Sequence, residues 1–384
     1  MKIAHILPAL TKGGGERVVV DLANQATMDG HEVTVIAAYP VNSAQLHDSL
    51  YPNVRILYVS DTVIPKRRSY LSMLPWIWRH RSWLAEQDIL HCHLTYGSAF
   101  GVTVRFFRSI FRARRPAVVE TYHSVGMAIP SVLRWAHARM AAGFDALALM
   151  AEDDYWRKFI KRRSALPSAV IPNGISFKGL ADVDPAAKRA YRREIGIPEE
   201  CRYVVGTVGM LRPDRKPWLY IPIFAQIVKV FGPEVHFVIA GDGSEYDRVC
   251  SLIAEYGIQR QVHLPGFVVE SRLPISIMDL YITLNVGTVT GIAALEAAYL
   301  GAPVLAIQMC SNYKAKSEDW IWSGIDLSEV ATRAIELLRN SSDRQALAAR
   351  QTARVRSHHT VESMARSYYA LYRASVEKAL SGRY

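Results

Sequence analysis

Residues 3–38, IAHILPALTKGGGERVVVDLANQATMDGHEVTVIAA, read as a strand, a glycine-rich turn, a helix and a second strand. The apolar run 3–8 is too short for a helix and is followed by Gly13, Gly14 and Gly15. From there Val18, Val19, Leu22 and Ala23 recur with helical spacing over 16–28, and 32–38 returns to a short apolar run. Two strands joined by a helix lie parallel, because an antiparallel pair needs only a tight turn. Working outward, 54–59, 89–94, 117–122 and 146–150 repeat the strand pattern, which implies a parallel sheet covered on both faces. After 168–172 a second series of the same class follows, at 203–208, 235–240, 261–264, 280–284 and 303–307. Met364, Tyr368, Leu371 and Val376 then mark an amphipathic helix over 360–379. The expected architecture is α/β, with two facing Rossmann-like domains and an interdomain cleft. Its parts are 1–172, a linker 173–188 carrying Gly174, Gly179 and Pro185, a second domain 189–355, and a C-terminal helix 356–384 that can pack back on the N-terminal domain. A length of 384 residues suits two cores rather than one.

Composition narrows the function. A hydrophobic share of 50% with 21% charged residues excludes long disorder. Cys92, Cys201, Cys250 and Cys310 are scattered, unlike a zinc site or a disulfide scaffold. Residues 1–8 have only Lys2 ahead of a short apolar stretch that 11–15 interrupt, which is no signal peptide, and no run approaches the ~18 apolar residues of a membrane span. A cytoplasmic location is expected. The net charge of +11 is uneven, since residues 1–180 hold 22 Lys and Arg against 13 Asp and Glu. The excess is interleaved with aromatics, at Lys66-Arg67-Arg68 through Trp76, Trp78, Arg79, Arg81 and Trp83, at 105–115, and at 156–163. Solvated helix faces with inward aromatics and a patch facing an anionic membrane both fit this pattern. No nucleic-acid module is recognisable, so nucleic acid is not an expected partner.

The segments that carry chemistry follow strands, where ligands of parallel sheets bind. Gly14 and Gly15 open a helix, whose positive end favours an anion. The spacing is not the dinucleotide fingerprint, and the second strand runs into Ala37-Ala38-Tyr39-Pro40 with no acid for a ribose diol, which argues against a nicotinamide cofactor. Arg212, Arg215 and Lys216 follow strand 203–208, where cations can reach a ligand bound at the carboxyl ends of the strands. Glu296 opens a helix after strand 280–284, and His123 comes directly after strand 117–122. His91 and His93 read as structural. The run Glu152-Asp153-Asp154 is explained as the acidic start of a helix, so no metal is assigned.

Taken in order, residues 13–23, Thr121-Tyr122-His123, Ile171-Pro172-Asn173-Gly174, 206–213, 237–243, Leu264-Pro265-Gly266-Phe267 and 291–303 resemble the retaining glycosyltransferase family 4 of GT-B fold. The resemblance implies a nucleotide-sugar-dependent hexosyltransferase acting on a glycan or lipid-linked acceptor in surface-polysaccharide synthesis, without metal or other cofactor. A UDP-sugar is the expected donor. It implies that Lys216, with Arg215 or Arg212, holds the donor phosphates together with the loop at Gly14 and Gly15. The base then lies near Val268, Glu296 accepts the ribose hydroxyls, Thr288 is near the sugar, and Gly291 belongs to the donor-binding loop. His123 contacts the sugar near its anomeric carbon. The chain departs from the family at Met210, where an arginine is usual, and at Thr288, where a second glutamate is usual. It departs again at 308–316 and 320–324. The Thr288 departure keeps open a catalytically silent protein that binds sugar nucleotides or glycans, and the shared architecture keeps open a sugar-nucleotide epimerase.

Overall fold

The computed structural model describes residues 1–384 except 12, 42–45, 64, 108–114, 124–134, 136–138, 141–142, 152–155, 159–165, 181, 269, 286–289, 309–320, 324–325 and 382–384. The chain divides into two compact units. Met1–Ser176 joins Thr360–Tyr384 in the N-terminal unit, and Phe177–His359 forms the C-terminal unit.

In the N-terminal unit the strands are β1 (Lys2–Leu7), β2 (Glu32–Ala37), β3 (Arg55–Tyr58), β4 (Ile89–His93), β5 (Ala117–Tyr122), β6 (Ala146–Leu149) and β7 (Ser168–Val170). They form one sheet in the order β3-β2-β1-β4-β5-β6-β7, parallel throughout. Helices α1 (Gly14–Met28), α2 (Lys66–Arg79), α3 (Arg81–Ala85) and α4 (Leu94–Phe106) belong to this unit. Every residue of β4, β5 and β6 is buried, as expected of strands covered on both faces. The polar members of β4 and β5, His91, His93, Glu120 and Thr121, are buried with the rest.

The C-terminal unit opens with α5 (Pro185–Glu194) and contains β8 (Tyr203–Val208), α6 (Tyr220–Phe231), β9 (Val235–Ala240), α7 (Tyr246–Glu255), β10 (Val262–Gly266), α8 (Arg272–Ser276), β11 (Leu280–Asn285), α9 (Ile292–Tyr299), β12 (Val304–Gln308), β13 (Ile321–Ser323), α10 (Leu327–Arg339) and α11 (Ser341–His358). Its sheet runs β10-β9-β8-β11-β12-β13, again all parallel. Val205, Phe237, Ile282 and Leu305 of the sheet bury against Ile221 and Phe224 of α6, and Phe224 stacks on Phe237 at 4.2 Å between ring centroids. Gln351 ties α11 to the start of β12. Its Nε2 donates to Val304 O at 2.7 Å and its Oε1 accepts from Val304 N at 2.7 Å. A two-sided amide of this kind satisfies two buried backbone groups at once.

The last helix, α12 (Val361–Ser381), packs on α1, β5 and β6 of the N-terminal unit. Three tyrosines fix it there. Tyr369 donates to Asp29 Oδ2 at 2.7 Å, Tyr368 pairs with Thr121 Oγ1 at 2.9 Å, and Tyr372 pairs with His91 Nδ1 at 2.7 Å. Where the chain leaves the N-terminal unit and where it re-enters are joined, since Ile175 bridges Thr360 and Val361 N donates to Ile175 O at 3.0 Å. Only glycine fits at 174, because a Cβ there would lie 2.2 Å from Thr360 O.

The clash at Gly174 is with backbone, so no side-chain rearrangement relieves it. Gly174→Ala is therefore expected to destabilise the N-terminal unit by about 1–3 kcal/mol, the usual scale of overpacking. Gly209→Ala, whose added methyl meets open space, serves as control. Urea unfolding followed by tyrosine and tryptophan fluorescence measures both. Equal midpoints for Gly174→Ala and the control would contradict the close packing at residue 174.

Candidate functional site

Strand order reverses between β1 and β4 in one sheet and between β8 and β11 in the other. At such a point the loops leaving adjacent strands diverge, and the gap at the carboxyl ends is where ligands of open parallel sheets bind. Seven of the residues expected to bind donor or act in catalysis lie in the loops that leave the four reversal strands or in the helices those loops enter. These are Gly14 and Gly15 after β1, Arg212, Arg215 and Lys216 after β8, and Gly291 and Glu296 after β11. His123 follows β5, which neighbours β4, and Val268 follows the edge strand β10, two places from β8. Thr288 lies outside the described residues, as do Glu152, Asp153 and Asp154.

In the N-terminal unit Gly13 is the N-cap of α1 and supplies no side-chain cap. The neighbouring carboxylate is Glu16, one of the residues of the first turn. Its side chain folds back over Gly13 and accepts from Thr11 Oγ1 at 2.7 Å. The sequence reading missed this acid, although a carboxylate in a first turn is a familiar complement to the helix dipole. Gly15, Leu94 and His123 come together: a methyl placed on Gly15 would sit 3.6 Å from both Leu94 Cδ2 and His123 Nδ1. Leu94 has φ of 59°, a left-handed conformation rare outside glycine. His123 is half-buried, its Nε2 lies 3.2 Å from Nδ1 of the buried His93, and burial lowers its pKa to about 4. The imidazole is therefore neutral near pH 7. His91 and His93, read from sequence as structural, are both fully buried.

In the C-terminal unit the loop after β8 is stapled to the loop after β9. Leu211 N donates to Asp242 O at 2.9 Å, and Glu245 N donates to Leu211 O at 2.9 Å. Gly241 permits this contact, since a Cβ on it would overlap Gly209 O. Beyond the staple Pro213–Arg215 makes a short 3-10 turn that ends at Lys216, with φ of 49° and ψ of 50°. The three cations are not equivalent. Arg212 is bidentate to Asp214 at 2.9 and 2.7 Å, and Arg215 Nε lies 3.9 Å from the same carboxylate. Burial works against the Asp214 carboxylate, but the two arginines outweigh it and hold its pKa below the ordinary value. Lys216 has no acidic partner among the described residues.

Two buried tyrosines brace the reversal strands. Tyr281 of β11 donates to Val208 O at 3.0 Å and accepts from Val208 N at 3.2 Å, and Tyr220 accepts from Leu284 N at 3.0 Å. Burial raises both phenol pKa values, so each stays a neutral hydroxyl. Glu296 stands one turn inside α9, whose N-cap is Gly291, rather than at the helix opening that the sequence suggested. The helix starts at Ile292, and that extra turn carries the carboxylate back beside the loop after β10. There Ser271 Oγ donates to Glu296 Oε2 at 2.5 Å. Neither Ser271 nor the tyrosine brace was found from sequence, because a lone serine or tyrosine carries no pattern. Val268 is half-buried next to the exposed Phe267.

The basic and aromatic excess divides by environment. Trp76 and Trp156 are buried, and Arg105 donates to both oxygens of the buried Asp145 at 2.7 and 2.8 Å. By contrast Leu71, Leu74 and Trp78 of α2 are 71%, 47% and 59% exposed, and Arg81 lies over the Trp78 ring at 4.9 Å. Their spacing puts them on one helix face. Among the described residues no helix is long and apolar enough to cross a membrane. The one grouping of metal-ligand type among the described residues is His5, His91 and His93.

Comparison with known proteins agrees with this geometry. Residues 12–178 match the model for Glycosyltransferase Family 4, and residues 187–351 match that for Glycosyl transferases group 1. The 2-deoxystreptamine glucosyltransferase of Streptomyces kanamyceticus is 27% identical over 219 residues, which is 55% of this chain and only about half, 53%, of the relative. The O-antigen biosynthesis glycosyltransferase WclY of Escherichia coli is 20% identical over 83% of this chain and 86% of its own length. Among solved structures, HepE of Anabaena in complex with UDP and glucose superposes with a TM-score of 0.76 at 17% identity, over 96% of this chain and 98% of that one. Sucrose-phosphate synthase of Thermosynechococcus elongatus gives 0.75 at 18% identity, over 97% and 98%. With both halves matched in order and two parallel sheets of this topology, the chain belongs to glycosyltransferase family 4 and has the GT-B fold.

Proposed function

We propose that this protein transfers a hexose, with retention of configuration, from a nucleotide-sugar donor to a glycan or lipid-linked acceptor in cell-surface polysaccharide synthesis. The observation that carries the reading is the pairing of Lys216, a cation with no acid partner among the described residues, with Glu296, a carboxylate oriented by Ser271, at one strand-order reversal. Lys216 neutralises the leaving diphosphate, and the departing phosphate oxygen takes up the acceptor proton. Glu296 accepts hydrogen bonds from the ribose hydroxyls, which a carboxylate does with two oxygens. His123, neutral and next to Gly15, offers one hydrogen bond to the sugar. HepE, with UDP and with UDP-glucose in its structures, supports a UDP-sugar as donor. No metal has a role in this scheme.

For the acceptor, the exposed stripe Leu71, Leu74 and Trp78 beside Arg79 and Arg81 supports docking on an anionic bilayer at the inner membrane face. There each surface cation contributes about 1 kcal/mol. Thr288, where the family has a second glutamate, favours one rival, a protein that binds donor without turnover.

Thermal unfolding against uridine, guanosine and adenosine diphosphates and their sugars tests the donor site. A ligand at 100 times its dissociation constant adds about 2.7 kcal/mol. One nucleotide class is expected to raise the melting temperature, and Glu296→Ala to abolish that shift; no shift with any nucleotide would sink the donor site. In a nucleotide-release assay with a lipid-linked acceptor extract, Lys216→Ala is expected to lower kcat by about 10²–10³-fold, the cost of losing one preorganised charge. Donor binding with no release at any acceptor concentration would favour the silent rival. For docking, sedimentation with phosphatidylglycerol vesicles should capture the protein, whereas phosphatidylcholine vesicles should not, and replacing Leu71, Leu74 and Trp78 by serine should release it. Equal capture by both lipids would refute the membrane reading.

A further inference from the structure

A hydrogen-bonded chain of three imidazoles runs through the reversal point of the N-terminal sheet. His5 of β1, His93 of β4 and His123 after β5 are linked by His5 Nδ1 to His93 Nε2 at 3.1 Å and His93 Nδ1 to His123 Nε2 at 3.2 Å. The two inner histidines are 1% and 0% exposed. Beside them His91 is spent on protein partners. Its Nε2 lies 2.7 Å from Thr121 Oγ1 and its Nδ1 lies 2.7 Å from the Tyr372 hydroxyl, while its ring packs 3.9 Å from that of His93.

A neutral imidazole carries one ring proton, so two consecutive Nδ1-to-Nε2 bonds admit two arrangements. Either all three rings are protonated at Nδ1, or all three at Nε2. The far end decides between them. His5 Nε2 is buried and has no hydrogen-bond partner among the described residues. Protonated at Nε2, His5 would hold a buried N–H with no acceptor, and genuinely orphaned buried N–H groups are rare; protonated at Nδ1, it leaves only an unused lone pair. The first arrangement prevails. His5 Nδ1–H then donates to His93, His93 Nδ1–H donates to His123 Nε2, and His123 is left with its own Nδ1–H on the side of Gly15.

We propose that His5 and His93 are positioning residues that lock His123 in the Nδ1-protonated tautomer, so that it presents a hydrogen-bond donor, and not a base, to an oxygen of the sugar being transferred. Burial supports the neutral state of every ring. It lowers the pKa of His5 to about 3 and of His123 to about 4, and it holds His91 and His93 well below the ordinary histidine value. His5, His91 and His93 offer ligand atoms within 4.8 Å of one another, but a metal there would have to displace a hydrogen bond from His91 and one from His93. The ligand named for His123 rests on the transferase reading above, whereas the tautomer does not.

Nitrogen-15 NMR of the histidine rings in the ligand-free protein reads the tautomer directly. His123 is expected to show a protonated Nδ1 and a bare Nε2; a protonated Nε2 overturns the proposal whatever the protein does. His93→Phe removes the lock, and His93→Asn keeps an amide N–H where Nδ1 stood. With His93→Phe the His123 signals are expected to move to a tautomer mixture and sugar transfer to fall about tenfold, the worth of one hydrogen bond. With His93→Asn both are expected to return toward wild type. Unchanged His123 signals in a folded His93→Phe variant, or stoichiometric zinc in the purified protein that is lost with His93→Asn, would overturn the lock. A tautomer that moves while transfer is unaffected would uphold the lock and remove His123 from the donor site instead.

Discussion

A parallel sheet can be entered only by crossovers, and where successive crossovers turn in opposite directions the sheet opens at its carboxyl edge. This constraint organises the molecule twice, at β1 and β4 and again at β8 and β11. The opening is also where backbone pairing ends, so the loops around it need other partners. In the C-terminal unit those partners are Tyr281, Tyr220 and the Leu211 staple, all bonding to backbone. In the N-terminal unit they are histidines and the Thr121 hydroxyl, bonding to one another. The first arrangement gives a rigid frame for cations and a carboxylate, and the second gives a polar core of small, neutral rings. Strain collects in the same loops, with Leu94 in one unit and Lys216 in the other both left-handed.

Charge is sorted with similar economy. The basic excess of the N-terminal half fits from sequence either solvated helix faces or a membrane-facing patch, yet Arg105 pairs with the buried Asp145, which offsets its charge. On the loop after β8, Asp214 occupies two arginines and leaves the lysine between them and Pro217 as the cation with no acidic partner among the described residues. A compact ammonium on a flexible stem suits a phosphate whose charge grows during reaction. In the proposed reaction Asp214 thus leaves Lys216, rather than either arginine, to meet the phosphate.

Much of the fold was legible because buried parallel strands are short, mostly apolar runs, and β5, β8 and β9 begin and end where those runs do. The short edge strands β7 and β13 were not, since three residues carry no periodicity. Of the proposed site, residues that stand in ordered motifs, such as Lys216, Glu296 and His123, could be named from sequence as candidates. Glu16, Ser271, Tyr220 and Tyr281 could not. Each acts through a partner distant in sequence or through a fold-back of its own chain, and neither leaves a trace in spacing. His91 and His93 were visible as residues, but their place in a chain with His5 depends on the β1–β4 register, which aligns His5 with His91.

The tyrosines of α12 close the N-terminal unit from the far end of the chain. On the ribosome this reverses the usual order of assembly. The sheet of β1–β7 emerges first, but the helix that covers β5 and β6 follows residue 360, after the whole C-terminal unit has been made. At 5–20 residues per second that delay is on the order of ten seconds or more. Through that interval Thr121 and His91 lack their tyrosine partners and the apolar face of the sheet stays open. The half of the protein that is synthesised first is thus the half whose last element is synthesised last.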